Sequence, residues 1–230
     1  MDIEIYKNIA DDEINNPQWM ETKQFWEVNN FEIVNNEYVY ERYSIIRDSY
    51  RYYDYKKPPV KIESEMIFYY KIANQNYFFA IGVDTNKKDV TRVFMRNSTY
   101  CYLSASSDDM TLEEMAKLTN LKYSNGITKG EKIKRGRKGY YQRSYIDFKF
   151  TDETSYELEE SLNMLLEELE KDKNGIKELV KRTNASIIIC KYQYVSANAS
   201  IEIDRKTIKR VIEFDLDINI DMYCVGQYMS

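Results

Sequence analysis

The chain has 230 residues, a formal net charge of -5 at neutral pH, 43% hydrophobic and 31% charged residues, and no histidine. That length fits one large domain or one domain with an elaborated end, and that hydrophobic share excludes a disordered chain. The acidic balance argues against nucleic-acid binding over the whole surface, and the missing imidazole removes Ser–His and Cys–His pairs, histidine metal ligands and a switch near neutral pH.

Tyrosine occurs 22 times against 9 phenylalanines. It offers apolar area plus a hydroxyl, which suits half-buried sheet faces and contact surfaces. A composition rich in Lys, Ile, Asn and Tyr explains the count equally well. Cys101, Cys190 and Cys224 lie far apart without CxxC spacing, each in an apolar strand-like run, and read as buried free thiols of a reducing compartment. No metal, cofactor or catalytic set is indicated. The opening MDIEIYKNIADDEI has acids where a signal peptide needs a basic start, and no apolar run is long enough to span a membrane. The expectation is a cytoplasmic protein with no membrane partner. The Asn97, Asn184 and Asn198 sequons then read as chance matches in an Asn-rich chain.

Residues 1 to about 30 are polar and carry both tryptophans. A short helix is expected from Trp19 to Val28, anchored by Trp19, Phe25 and Trp26. From Phe31 to about Phe94 the pattern is strand-like. YVYERYSIIRDSYRYYDY reads as a strand pair with a turn at Asp48-Ser49, and its tyrosines, Tyr38 to Tyr55, as a half-exposed sheet face or a contact surface. Pro58-Pro59 breaks the pattern, because consecutive prolines cannot donate to a ladder. VKIESEMIFYYK and NYFFAIGV then form a hairpin around Ala73 to Asn76. Residues 1–95 are accordingly a β-rich region packed on the rest, residues 96–230.

After Ser98 strands and helices alternate. TYCYLSAS is a strand, and TLEEMAKLTN a helix whose Thr111 and Glu114 have capping-box spacing. SYIDFKFT is the next strand. Thr154 and Glu157 repeat the box before the longest helix, about Ser155 to Asp172, where Leu158, Leu162, Leu165 and Leu169 make one apolar stripe. Asn174-Gly175 reads as its left-handed stop, and IKELVKR as a further turn or two. SIIICKYQYV and ASIEID read as a hairpin, RKTIKRVIEF as a short helix and LDINIDMYCV as the closing strand. YLSASSDDMTLEEMAKL and IEIDRKTIKRVIEF share a strand, acidic turn and helix, a weak internal duplication. The fold class expected is α+β, a mainly antiparallel sheet with helices on one face, loosely ferredoxin-like, preceded by the β-rich region.

Between the first of these helices and SYIDFKFT lies KGEKIKRGRKGYYQR, with seven Lys or Arg in fifteen residues. Gly126, Gly130, Gly136 and Gly139 supply four of the seven glycines of the chain. The spacing is not that of a phosphate-binding P-loop, and no helix N-terminus follows at once. Three readings stay open. The loop holds nucleotide or single-stranded nucleic acid, with Tyr140 and Tyr141 as stacking platforms. It meets an acidic protein partner through Lys129, Lys132, Lys134, Arg135, Arg137, Lys138 and Arg143, with the two tyrosines as anchors. Or it is a solvated hairpin. Asp108 and Asp109 before a helix, and Asp215, Asp217 and Asp221 along the last strand, are the only acidic groupings that suggest an enzyme or a cation site. They read more simply as a dipole complement and a solvent face.

These residues carry a resemblance. YCYLSASSDDMTLEEMAKLTNL, then KGE at Lys129 to Glu131, the strand YIDFKFT, SYELEESLNMLLEEL, SIIICKYQYV and the acidic LDINIDMYCV resemble, over residues 99–226, a bacterial domain-of-unknown-function family, number four-two-seven-nine. Where that family has a Trp in the strand after the basic loop, this chain has Tyr141 or Tyr145. The resemblance implies a small cytosolic module of bacterial conflict or mobile-element neighbourhoods, similar in style to immunity proteins. The functional expectation is a non-catalytic binding protein of immunity or inhibitor type that neutralises a protein partner in bacterial or phage conflict. The alternative is a nucleotide- or nucleic-acid-binding sensor or sponge in phage–host conflict.

Overall fold

A computed structural model of the chain describes residues 2–51, 56–133, 139–151, 157–195 and 201–227. The fold is α+β with a mostly antiparallel sheet. Two compact units divide the chain. The first is Met1–Asn97 with Tyr192–Ala199 and Cys224–Ser230, and the second is Ser98–Lys191 with Ser200–Tyr223.

The first unit opens with α1 (Ile3–Asn15), for which Asp2 supplies the N-cap by accepting from the Glu4 amide. Tyr6, Ala10 and Ile14 recur at the spacing of one helical face and are buried. Sequence reasoning left these residues without a helix, because acids and amides fill the other positions. Glu13 is buried and accepts the backbone N–H groups of Gln18 and Trp19 at 3.1 and 3.0 Å, fixing the entry to α2 (Met20–Val28). The expected helix is therefore present, with Phe25 fully buried and Trp26 donating its indole N–H to the Ile14 carbonyl at 2.9 Å.

A two-stranded ribbon, β1 (Ile33–Val34) and β2 (Glu37–Tyr38), precedes an antiparallel meander. Its strands are β3 (Tyr40–Arg51), β4 (Val60–Lys71), β5 (Tyr77–Asp84) and the first part of β6 (Val90–Ser107). The β4–β5 hairpin turns where expected, with Asn74 left-handed at φ 60°. The expected turn at Asp48-Ser49 is not formed. β3 runs through it as one 12-residue strand, Asp48 taking a left-handed φ of 49° and pairing with Lys61 at 2.7 Å. Asp and Asn tolerate that conformation more readily than other side chains, so a turn-like dipeptide can sit inside a ladder.

Aromatic rings fill this core. Phe25 packs on Phe31 and Phe79 at centroid distances of 4.5 and 4.6 Å. Tyr70 and Tyr77 are buried and keep hydroxyl partners, Asp11 at 2.6 Å and Asn29 at 3.1 Å. Burial raises both phenols, Tyr77 to about 12. Of the tyrosine cluster, Tyr38, Tyr40 and Tyr43 pack on this core, Tyr50 is exposed, and Tyr52, Tyr53 and Tyr55 lie outside the described residues.

The second unit holds the remainder of β6, then α3 (Leu112–Ala116), β7 (Asn125–Ile127), β8 (Ser144–Phe148), α4 (Leu158–Glu170), α5 (Lys173–Arg182), β9 (Asn184–Tyr194, its last residues in the first unit), α6 (Arg205–Glu213) and most of β10 (Asp217–Val225). The strand order is β10-β9-β6-β8-β7. Leu103, Ala105, Ile146, Phe148, Ile187 and Ile189 present one sheet face to the helices. Against them lies the α4 stripe, Leu158, Leu162, Leu165 and Leu169, as its spacing requires. Thr111 and Glu114 form the expected capping box.

Three details depart from expectation. Thr154 lies outside the described residues, and Glu157 takes the N-cap position of α4, where its side chain makes no capping hydrogen bond to the helix start. Asn174-Gly175 does not stop a helix but lies in the first turn of α5, whose cap Asp172 accepts the Gly175 amide at 3.2 Å. Asp172 also takes the Thr119 hydroxyl at 2.8 Å, so one carboxylate converts an apparent stop into a start. Residues 201–204 form no strand, which leaves SIIICKYQYV without the expected hairpin partner. No helix among the described residues is long and apolar enough to cross a membrane.

Candidate partner-binding hairpin

The basic segment is a hairpin with ordered arms. The Gly130 amide donates to the Tyr141 carbonyl and the Tyr141 amide to the Glu131 carbonyl, each at 2.9 Å. Lys132 bridges to Tyr140, and the Ile133 amide donates to the Gly139 carbonyl at 3.0 Å. Gly130 has a φ of 86°, a conformation that disfavours any other residue. The segment 134–138, with Lys134, Arg135, Arg137 and Lys138, joins the arms in sequence and lies outside the described residues.

Polar bonds anchor the base. Thr128 donates its amide to Glu131 Oε1 at 2.8 Å, and Lys129 donates its amide to Ser144 Oγ at 2.9 Å. Lys129 Nζ reaches the Asp108 carbonyl at 3.0 Å, while Arg143 grips the Asp108 carboxylate with two donors. The Arg143 guanidinium holds the Asp108 carboxyl below its ordinary range, and Asp108 raises Arg143 in return. Lys129 and Arg143 are thus engaged within the second unit. Lys132 and Tyr140 are exposed, Tyr140 to 62%, whereas Tyr141 is half-buried edge-on to Tyr145 at 6.0 Å. Sequence reasoning counted all nine residues as one surface and missed Asp108, whose position just before α3 suggested only a dipole role.

The sheet face of this unit opposite the helices carries a second polar grouping. Tyr100 and Tyr102 stack at 6.2 Å, and Lys149 lies 4.6 Å from the Tyr100 ring centre. Asp147 accepts from Ser104 Oγ at 2.7 Å and Asn125 Nδ2 at 3.2 Å. Burial raises its carboxyl and pushes the Tyr102 phenol up to about 12. The alternation in TYCYLSAS was the sequence signal for this face.

Nothing in these groupings sets a nucleophile against a base. A cavity of about 150 Å³ beside α4 is lined by Cys101, Ser161, Met164 and Glu168 among others, but burial pushes the Cys101 thiol up to about 12 and keeps it neutral. Cys190 is likewise buried, whereas Cys224 on the edge strand β10 is exposed, which corrects the expectation of three buried thiols. Asp215 sits in a turn at φ 59°, outside the strand on which it was expected to alternate, and Asp217 and Asp221 are exposed along β10. Among the described residues no three His, Cys, Asp or Glu side chains gather as metal ligands.

No curated protein and no solved structure matches the chain. A family model described as a domain of unknown function, DUF4279, matches residues 97–225. Since that match covers more than half of the 230 residues, the chain belongs to the DUF4279 family.

Proposed function

We propose that the protein is a non-catalytic binding protein that uses the basic hairpin to engage an acidic protein partner, in the manner of an immunity protein or inhibitor. The observation that carries this reading is the division of labour within the segment. Lys129 and Arg143 are spent at Asp108 on holding the base, while Lys132 and Tyr140 face solvent beside four further cationic residues in sequence. A cation-rich arm beside an exposed tyrosine combines charge steering with a rigid apolar anchor. An anchored hairpin also loses less entropy on binding than a free loop.

Affinity purification from the native host tests the reading. An acidic protein should co-purify and elute with rising salt. Release of material absorbing near 260 nm, with no protein band, would replace this reading by the nucleotide or nucleic-acid one.

A further inference from the structure

The first unit contains an arginine pair that the hairpin reading leaves unused. Glu65 on β4 is fully buried. Its Oε1 accepts the Thr91 hydroxyl, and its Oε2 is shared by Arg51 Nη2 and by Arg92 Nη2, the latter at 2.8 Å. Gly82 on β5 makes room for this arrangement, since a Cβ there would lie 2.6 Å from Glu65 Oε1 and 2.9 Å from Thr91 Oγ1. Arg51 also donates Nη1 to the Tyr50 carbonyl at 3.0 Å, and the Arg92 guanidinium lies 4.6 Å from the Phe94 ring centre.

The donors outnumber the acceptors. A guanidinium carries five N–H groups, yet Glu65 Oε2 and the Tyr50 carbonyl are the only described acceptors these two arginines meet. Both Nε atoms are buried without a partner among the described residues. Two positive charges share one carboxylate, leaving an excess of one. Their side chains stay 18% and 26% exposed above a carboxylate that is 0% exposed, so part of each guanidinium-bearing side chain faces solvent while the Nε groups themselves are closed to it. Burial and the neighbouring Arg51 charge both disfavour the charged form of Arg92, and Glu65 opposes them.

We infer that Arg51 and Arg92 form an anion site that takes a phosphate-type oxyanion, with Glu65 as the internal strut that aims both guanidinium groups. A group with three or four oxygens can meet the Nη groups of two arginines at once, supplying acceptors for their remaining N–H groups and neutralising the excess charge. This site lies in the first unit and does not depend on the hairpin.

Calorimetric titration and thermal melts of the full chain test it, with inorganic phosphate and a nucleoside monophosphate as probes, against chloride at equal ionic strength. Wild-type protein should melt higher in either phosphate than in chloride, and Arg92→Gln should lose that shift. Arg92→Lys, which keeps the charge without the fork, should bind about tenfold more weakly. A monophosphate that binds more tightly than inorganic phosphate identifies an ester as the ligand, and equal binding identifies the free ion. The proposal is overturned by a wild-type melt that is the same in phosphate and chloride, or by Arg92→Gln and Arg92→Lys both retaining the full shift.

Discussion

Arg143 grips Asp108 across 35 residues of sequence, with Nε 3.0 Å from Oδ1 and Nη2 2.6 Å from Oδ2. The pair ties the end of the basic hairpin to the residue that follows β6, and both partners are solvent-exposed. Exposed pairs contribute little to global stability, so its consequence is local. Asp108→Ala should leave the melting temperature nearly unchanged while amide exchange across residues 129–143 accelerates. Unchanged exchange would mean that the arm ladder alone orders the hairpin.

Acid should act on the second unit through carboxylates that hold structure in place. Asp172 lies below its ordinary value of 3.8 because the Asn120 amide, the Thr119 hydroxyl and the Gly175 amide donate to it. A carboxyl lowered on folding stabilises fully above its unfolded value, and that contribution is lost as pH falls through the folded value. Stability should therefore hold above about pH 4 and decline below it. Asp172→Ala should cost about 1 kcal/mol at neutral pH, the usual worth of a helix N-cap, and flatten the acid decline. A denaturant series read by circular dichroism checks both.

The α4 stripe should be the least tolerant surface in the second unit. Leu162 is fully buried among Leu158, Leu165, Leu166 and the sheet residues. Leu162→Ala should cost about 3 kcal/mol, as large-to-small changes in a packed core do. Leu162→Asp should prevent folding, because the carboxylate would have no partner. A wild-type melt for the Asp variant would refute the packing.

Thiol accessibility offers a check on the strand faces. Cys224 is exposed, while Cys101 and Cys190 are buried with thiols raised by burial. An alkylating reagent at mildly alkaline pH should label Cys224 in native protein and all three cysteines after unfolding. Rapid native labelling of Cys101 would contradict its position against α4.

The elements that sequence reasoning found were those whose signal is local and redundant. The leucine period of α4 and the Thr111–Glu114 box each state both an element and its facing. Helix α1 was missed because its buried face, Tyr6, Ala10 and Ile14, is narrow and interrupted by Asp11, Asp12 and Glu13. At Asp48 and at Asn174-Gly175 the residue types were read correctly as turn formers. At the first, Asp48 stays within the β3–β4 ladder and pairs with Lys61; at the second, the neighbouring Asp172, held by Thr119 from across the unit, caps a new helix start. The candidate site was legible as a charge cluster. Its division into anchored and exposed residues was not, because that depends on where Asp108 arrives in space. The Arg51–Arg92 pair left no sequence signal, since 41 residues and two strands separate its members.

Charge reversal at the hairpin tests the central claim most directly. Lys134→Glu, Arg135→Glu and Arg137→Glu, combined in one chain, should keep the wild-type melting temperature while binding to the co-purified acidic protein weakens and loses its salt dependence. Titrating wild type and variant at several ionic strengths, beside their melts, reads both quantities. Equal affinity and an equal salt slope for the two chains, with equal melts, would mean that the hairpin is only solvated and that the partner is met elsewhere.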